Sequence, residues 1–446
     1  MERKRDMISF TATGLNERTK QRKEMATNSS FMFKWLICCA LVINVGLISA
    51  REDDESREGN ITSMSSPSQS PTLPDAPYIC ELRVKIFGYK CEEHEVTTKD
   101  GYILSIQRIP QGLSSSKIEG EKREPVLLIH GLLMDGVIWL INHPNESLGF
   151  ILADKGYDVW IANTRGTWSS RRHTFLSASH RDYWEWSWDE LVSFDLPAIF
   201  NYIYTNTTQQ KFHYVGHSLG SLIAFALFSQ NNLPAKMVRS AVMLCPIAYM
   251  NLERSILVQF AAATFTAETH YWLGLKEFIP TGKNVLKFLK KICNEPGVDC
   301  SNLLTALTGK NCCLNISSIH VFTKFEPQST STKLMIHLSQ MIRRGTVAKY
   351  DYNDVKKNRD HYGQPTPPAY NLSAIPLDLP LFLVYGGMDW LADVGDLDEL
   401  LFELRFHKSD KLKLHFQPDY SHVDFIMGFN AKEEIYDHVL EFMSLQ

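Results

Sequence analysis

The sequence predicts an α/β fold: a mostly parallel sheet, covered by helices on both faces and interrupted by an inserted helical cap. Three observations predict it. First, continuous apolar runs occur at Pro125–Gly131 and Tyr157–Asn163, and further strand-like runs at Lys211–Val215, Met237–Cys245 and Leu379–Tyr385. Short, largely apolar runs of this length are strands buried on both faces. Second, helix-like stretches separate these runs, which is the βαβ rhythm of a parallel sheet. Third, Gly216-His-Ser-Leu-Gly220 lies directly between a strand-like run and the helix-like run Ser221–Phe228. That arrangement is a serine on a sharp strand-to-helix turn, with glycines leaving room for a strained backbone.

Along the chain, Glu93–Thr98 and Tyr102–Arg108 form two β-like runs joined by Lys99-Asp-Gly101, a strong hairpin signal. Leu148–Lys155 reads as a helix. Trp188–Asn206 reads as helical with a break at Pro197. After residue 249 the rhythm stops. Lys411–Phe416 resumes the strand pattern and Ala431–Leu445 closes the chain as a helix. The predicted organisation is a first core part at 77–248, a helical cap at 249–373 and a second core part at 374–446. Within the cap, Val285, Leu286, Phe288, Leu289 and Ile292 recur at helical spacing, with Lys283, Lys287, Lys290 and Lys291 largely opposite. Two readings stand: a cap helix packed on the core, or a helix lying on a lipid surface.

The first 76 residues differ from the rest. Residues 1–24 hold seven Lys/Arg against four Asp/Glu, and an apolar run of 16 residues follows from Trp35 to Ala50. A basic flank, a short apolar stretch and a small-residue exit predict a secretory signal peptide cleaved after Ala50. A start at Met25 and a retained membrane anchor are the alternatives. Residues 51–76 are acidic and then Ser/Pro-rich, and read as a disordered linker.

Of 446 residues, 44% are apolar and 22% charged, with net charge −4, so no basic field points to nucleic acid. Seven cysteines follow the leader (Cys80, Cys91, Cys245, Cys293, Cys300, Cys312 and Cys313), leaving at least one free thiol if the others pair. Sequons at Asn60, Asn145, Asn206, Asn315 and Asn371 are glycosylation candidates. With a signal peptide they fit the secretory pathway.

A serine hydroxyl needs an adjacent base, and the base needs an orienting carboxylate. In a sheet of this kind both partners sit in loops after later strands, acid before histidine. Asp389 follows Leu379–Tyr385 through Gly386-Gly-Met388, and is favoured over Asp378, Asp393, Asp396 and Asp398. His422 alone occupies the loop after the final strand. Ser218 is thus the candidate nucleophile, Asp389 the acid and His422 the base. The backbone N–H groups of Leu219 and Leu132 are the candidate oxyanion donors. No His-Glu-x-x-His or Cys-x-x-Cys spacing appears, and no glycine-rich phosphate loop follows a strand. Neither a metal nor a cofactor is expected.

His130-Gly-Leu-Leu, Tyr157-Asp-Val-Trp-Ile-Ala-Asn-Thr-Arg-Gly, Gly216-His-Ser-Leu-Gly, Gly387-Met-Asp-Trp-Leu-Ala-Asp and His422-Val-Asp-Phe resemble the acid lipases, the family of gastric and lysosomal acid lipase. The resemblance runs from about Pro77 to the C-terminus and is nearest to the plant triacylglycerol lipases. It implies an α/β-hydrolase core with a helical cap, part of it a mobile lid near 280–309. It implies hydrolysis of triacylglycerols or sterol esters, often at acidic pH, by a secreted or lysosomal/vacuolar enzyme. Its triad carries over as Ser218, Asp389 and His422, and its oxyanion amides as Leu132 and Leu219. A cap disulfide maps onto Cys293 and Cys300. Animal members carry Gln where Leu219 stands, and Cys312-Cys313 departs from their pattern. The expected partner is a lipid substrate at an oil–water or membrane interface, without nucleic acid or an obligate protein partner. The alternatives are an esterase or acyltransferase acting on a smaller ester, and a non-catalytic binding protein.

Overall fold

Apolar runs too long to face water on either side assemble into the central sheet. The computed structural model describes residues 79–113, 123–208, 210–230, 233–280, 303–314 and 316–446. The leader, the linker, the Lys283–Ile292 stretch, Cys293, Cys300, Asn60 and Asn315 lie outside them. The strands are β1 (Glu92–Thr97), β2 (Tyr102–Ile109), β3 (Pro125–Ile129), β4 (Asp158–Ala162), β5 (Arg172–His173), β6 (Phe212–His217), β7 (Val238–Leu244), β8 (Glu277–Phe278), β9 (Thr330–Ser331), β10 (Leu381–Gly386) and β11 (Leu412–Gln417). The main sheet runs β1-β2-β4-β3-β6-β7-β10-β11, with β5 beside β2, and β8 pairs β9 separately. From β4 to β11 every pairing is parallel, and β1, β2 and β5 make the antiparallel end. The C-terminal ends of β3, β6, β10 and β11 therefore share one edge. In open parallel sheets that edge carries the ligand site.

Leu127, Leu128, Val215, Val242 and Leu383 are fully buried in these strands. Each contributes about 1.5–3 kcal/mol of burial. The covering helices are α1 (Leu148–Asp154), α2 (Leu196–Asn206) and α3 (Leu219–Phe228), then, after the insertion, α10 (Val394–Glu403) and α11 (Asp437–Ser444). The expected break at Pro197 does not occur. The chain is helical from Trp188 to Asn206, through a π turn at Leu191–Asp195. The π turn just ahead of Pro197 widens the helix where the proline ring would otherwise press on the preceding turn, so the helix runs through.

Between β7 and β10 the insertion holds α4 (Ile256–Ala263), α5 (Thr266–Trp272), α6 (Leu303–Thr308), α7 (Ile316–Phe325), α8 (Thr332–Arg344) and α9 (Val355–Tyr362). Its best-defined helix is α8. Ser331 Oγ accepts the Leu334 N–H at its start, and Gly345, at φ 64°, ends it. Leu334, Leu338 and Met341 turn inward, and His337 stacks on Trp188 at 4.3 Å, joining insertion to core. Among the described residues no helix is long and apolar enough to cross a membrane.

One buried charge ties the antiparallel end together. Arg165 bonds Asp195 through Nε at 2.8 Å and Asp100 through Nη1 at 2.6 Å and Nη2 at 3.0 Å. Its guanidinium also lies 3.8 Å from the Tyr102 ring centroid. Removing one partner of such a cluster leaves a buried charge unpaired. Arg165→Met is expected to lower unfolding free energy by about 3–5 kcal/mol. A urea midpoint unchanged from wild type would refute it.

Candidate active site

Ser218 stands between the last residue of β6 and the first of α3. Its φ of 54° and ψ of −115° are strained for any side-chain-bearing residue. The strain is held from both sides: the Ser218 N–H donates to the Leu244 carbonyl at 3.0 Å, and its own carbonyl accepts from Ser221 N–H and Oγ. Close packing explains the flanking glycine. A Cβ on Gly220 would lie 2.6 Å from the Ile129 carbonyl oxygen, so α3 presses directly on the end of β3. The hydroxyl sits at the N-terminus of a ten-residue helix, where developing negative charge is favoured.

Asp389 follows β10 and His422 follows β11. Asp389 is fully buried and His422 is 3% exposed. His422 Nδ1–H donates to Asp389 Oδ2 at 2.8 Å. The other carboxylate oxygen accepts the N–H groups of Leu391 and Ala392, both at 2.9 Å, which fixes the plane of the acid. This fixes the tautomer, leaving the Nε2 lone pair of His422 free. The other candidate carboxylates serve elsewhere. Asp393 pairs with Arg254, and Asp396 accepts the Leu252 N–H.

His217, which precedes the serine, lies against His422: the two imidazole centroids are 4.9 Å apart. Its Nε2–H donates to the His422 carbonyl at 3.0 Å. Burial, then the adjacent His422, lower its pKa to about 3, so it is a neutral spacer between strand β6 and the histidine loop. Ser218 Oγ has no hydrogen bond to the His422 ring among the described residues. Such bonds are often long before substrate enters and tighten in the complex.

The loop after β3 passes over the serine. A Cβ on Gly131 would sit 3.1 Å from Ser218 Cβ, so Leu132 follows at the mouth of the turn. His130 anchors this loop: Nδ1–H donates to the Gly131 carbonyl at 2.8 Å, and Nε2 accepts the Thr164 N–H at 3.0 Å. Burial lowers its pKa to about 4, so this pattern holds at any higher pH. Neither Leu132 N–H nor Leu219 N–H has a backbone acceptor among the described residues. Both border a cavity of about 10 Å³ that Thr330 and Leu334 of the insertion close. A larger cavity of about 430 Å³ is lined by Lys310, Cys312, Cys313, Met388 and Tyr420 among others, and by none of Ser218, Asp389 and His422.

Sequence reasoning missed two supports. Cys245, the free cysteine among the described residues, is buried and its Sγ–H donates to the His422 carbonyl at 3.3 Å. Burial, then the charge of Asp389, push this thiol far above its usual range, so it is neutral. Second, Cys312 and Cys313 are bonded to each other, and their N–H groups donate to Asp424, two residues past His422. The chain leaving α6 is thus stitched to both loops: the Thr308 carbonyl accepts from Trp390 N–H at 3.2 Å and from His422 N–H at 3.5 Å. Cys80 pairs with Cys91, a pairing the sequence left open. Asn145, Asn206 and Asn371 are exposed.

Comparison with known proteins agrees with this architecture. Residues 80–143 match the model of a partial α/β-hydrolase lipase region, and 124–281 match that of the α/β-hydrolase fold. Triacylglycerol lipase 2 of Arabidopsis thaliana is 52% identical over 379 residues, covering 85% of this chain and 90% of that protein. Triacylglycerol lipase 1 of the same plant is 40% identical over 385 residues, covering 86% and 95%. Human gastric triacylglycerol lipase is 35% identical over 384 residues, covering 84% and 93%. Identity of this order, sustained across nearly the whole folded region, makes the chain a member of the acid lipase family of α/β hydrolases.

Proposed function

We propose that this protein hydrolyses acyl esters of neutral lipids, triacylglycerol or sterol ester, through an acyl-enzyme on Ser218. The 2.8 Å bond between His422 and Asp389, on the sheet edge where Ser218 is held in its strained turn, carries the reading. His422 Nε2 takes the Ser218 proton as Oγ attacks the ester carbonyl. The N–H groups of Leu132 and Leu219 receive the oxyanion, and Asp389 stabilises the imidazolium. As the C–O bond breaks, His422 returns the proton to the leaving alcohol. Water, deprotonated by the same imidazole, then releases the fatty acid and restores Ser218.

A lipid substrate fits the surface formed by residues 272–279. Trp272 is 84% exposed, and Leu273, Leu275 and Ile279 are exposed with it. Apolar side chains grouped at the margin of the expected lid favour contact with a lipid surface. The two disulfides among the described residues support an oxidising compartment, with the enzyme secreted or lysosomal/vacuolar.

The test is hydrolysis of emulsified triolein and cholesteryl oleate beside p-nitrophenyl esters of increasing chain length. Faster turnover of the emulsions and long-chain esters is expected. Turnover confined to acetate and butyrate esters would replace the lipase by an esterase for small substrates.

A further inference from the structure

Two carboxyl groups from distant parts of the chain meet in the interior beside the oxyanion loop. Asp135 ends that loop and is fully buried; Glu326, at the end of α7 in the insertion, is 4% exposed. The Asp135 N–H donates to Glu326 Oε1 at 3.0 Å. Asp135 Oδ1 accepts the Val137 N–H at 2.8 Å and caps the turn Gly136–Leu140. The remaining oxygens, Asp135 Oδ2 and Glu326 Oε2, are buried and have no donor. The bond from the Asp135 N–H sets the two carboxyl groups side by side, and each acts on the other's charge.

Two carboxylates cannot bond each other without a proton, and two buried anions this close repel. A single proton between them satisfies both orphan oxygens at once. The same stretch of the insertion holds the oxyanion loop at a second point, since Gln328 N–H donates to the Leu133 carbonyl at 2.8 Å. Leu132 lies just ahead of both attachments. We propose that Asp135 and Glu326 are positioning residues that share one proton, clamping the insertion onto the oxyanion loop and holding the Leu132 amide in place only while that proton is bound.

Among the described residues no charged donor replaces the proton; the Gln328 side chain is a neutral donor to Glu326. The groups acting on the pair are its two carboxyls, the N–H groups of Asp135 and Val137, and the Gln328 side chain. Lys324, on α7 just before Glu326, is exposed and directed over the Phe325 ring. His130, at the start of the loop, is already neutral above about pH 4. Burial, then the Asp135 charge, raise Glu326 well above the usual carboxylate range, and burial raises Asp135 to about 7. The folded protein therefore keeps a proton that the unfolded chain gives up near pH 4. The stabilisation is complete at acidic pH and fades as pH climbs towards the raised folded values.

The proposal rests on the reading of Leu132 as an oxyanion donor. Its test compares wild type with Glu326→Gln and Glu326→Ala, using p-nitrophenyl butyrate and thermal unfolding from pH 4.5 to 9. An amide at 326 can still donate to Asp135 and accept from its N–H, but cannot titrate. Glu326→Gln is expected to retain most of the wild-type kcat at acidic pH. Its alkaline fall in kcat should move upward by about one pH unit or more, and its melting temperature should lose part of its pH dependence. Glu326→Ala should lower kcat about tenfold or more across the range, with little change in KM. An unshifted alkaline limb in Glu326→Gln, or equal behaviour of the Gln and Ala variants, overturns the proposal. The thermal arm does not involve Ser218. A melting profile identical in wild type and Glu326→Gln overturns the pair even if no hydrolysis is detected. A shifted melting profile without any hydrolysis supports the pair and overturns the catalytic reading alone.

Discussion

Ser218→Ala is expected to lower kcat on soluble esters by about 10⁴–10⁶-fold, with a melting temperature close to wild type. The loss is large because no other described hydroxyl occupies the turn between β6 and α3. Attack would fall to water, with only the oxyanion amides and His422 to assist. Stability changes little because the contacts at this position are made by backbone. The N–H bonds Leu244, and the carbonyl receives Ser221. Alanine meets the same φ of 54° with the same Cβ. The check is burst-phase hydrolysis together with labelling by a fluorophosphonate. Activity within tenfold of wild type would remove Ser218 from the mechanism.

Asp389→Asn is expected to cost about 10⁴-fold in kcat at neutral pH, without loss of fold. The reason lies in how the carboxylate is held. Oδ1 takes two backbone N–H groups, from Leu391 and Ala392, so an asparagine must put its carbonyl oxygen there. Its NH₂ then faces His422 Nδ1, where Asp389 now accepts at 2.8 Å. The imidazole answers by moving its proton to Nε2 and can no longer take one from Ser218. Measuring kcat against pH for the variant decides the matter. A loss of tenfold or less at neutral pH would mean that Asp389 does not set the tautomer.

Much of this arrangement was legible because it follows local rules. Continuous apolar runs gave strands β3 and β4, strand-like runs gave β6, β7 and β10, and Lys99-Asp-Gly101 gave the hairpin of β1 and β2. Position relative to the strands singled out Asp389 and His422, 33 residues apart, which the structure joins by a hydrogen bond. What was not legible depends on contacts between distant segments. Asp135 and Glu326 are separated by 191 residues, and each alone reads as an ordinary loop acid. The Cys245 thiol follows an apolar strand and looks like filler until the His422 carbonyl arrives beside it. Cys312 and Cys313 could each have sought a remote partner, and their bond to one another becomes informative only beside Asp424. Pro197 misled because proline's effect depends on its place within a helix, and a π turn just ahead widens the helix around its ring.

Gly220 carries one last implication. Its missing side chain lets the helix behind Ser218 rest against the carbonyl that ends β3, and β3 leads straight into the segment bearing Leu132. In the proposed mechanism, the gap between Ser218 Oγ and the amides of Leu132 and Leu219 is therefore gauged by an empty space the size of a methyl group. Widening this seam would separate bond-making from charge stabilisation in one stroke.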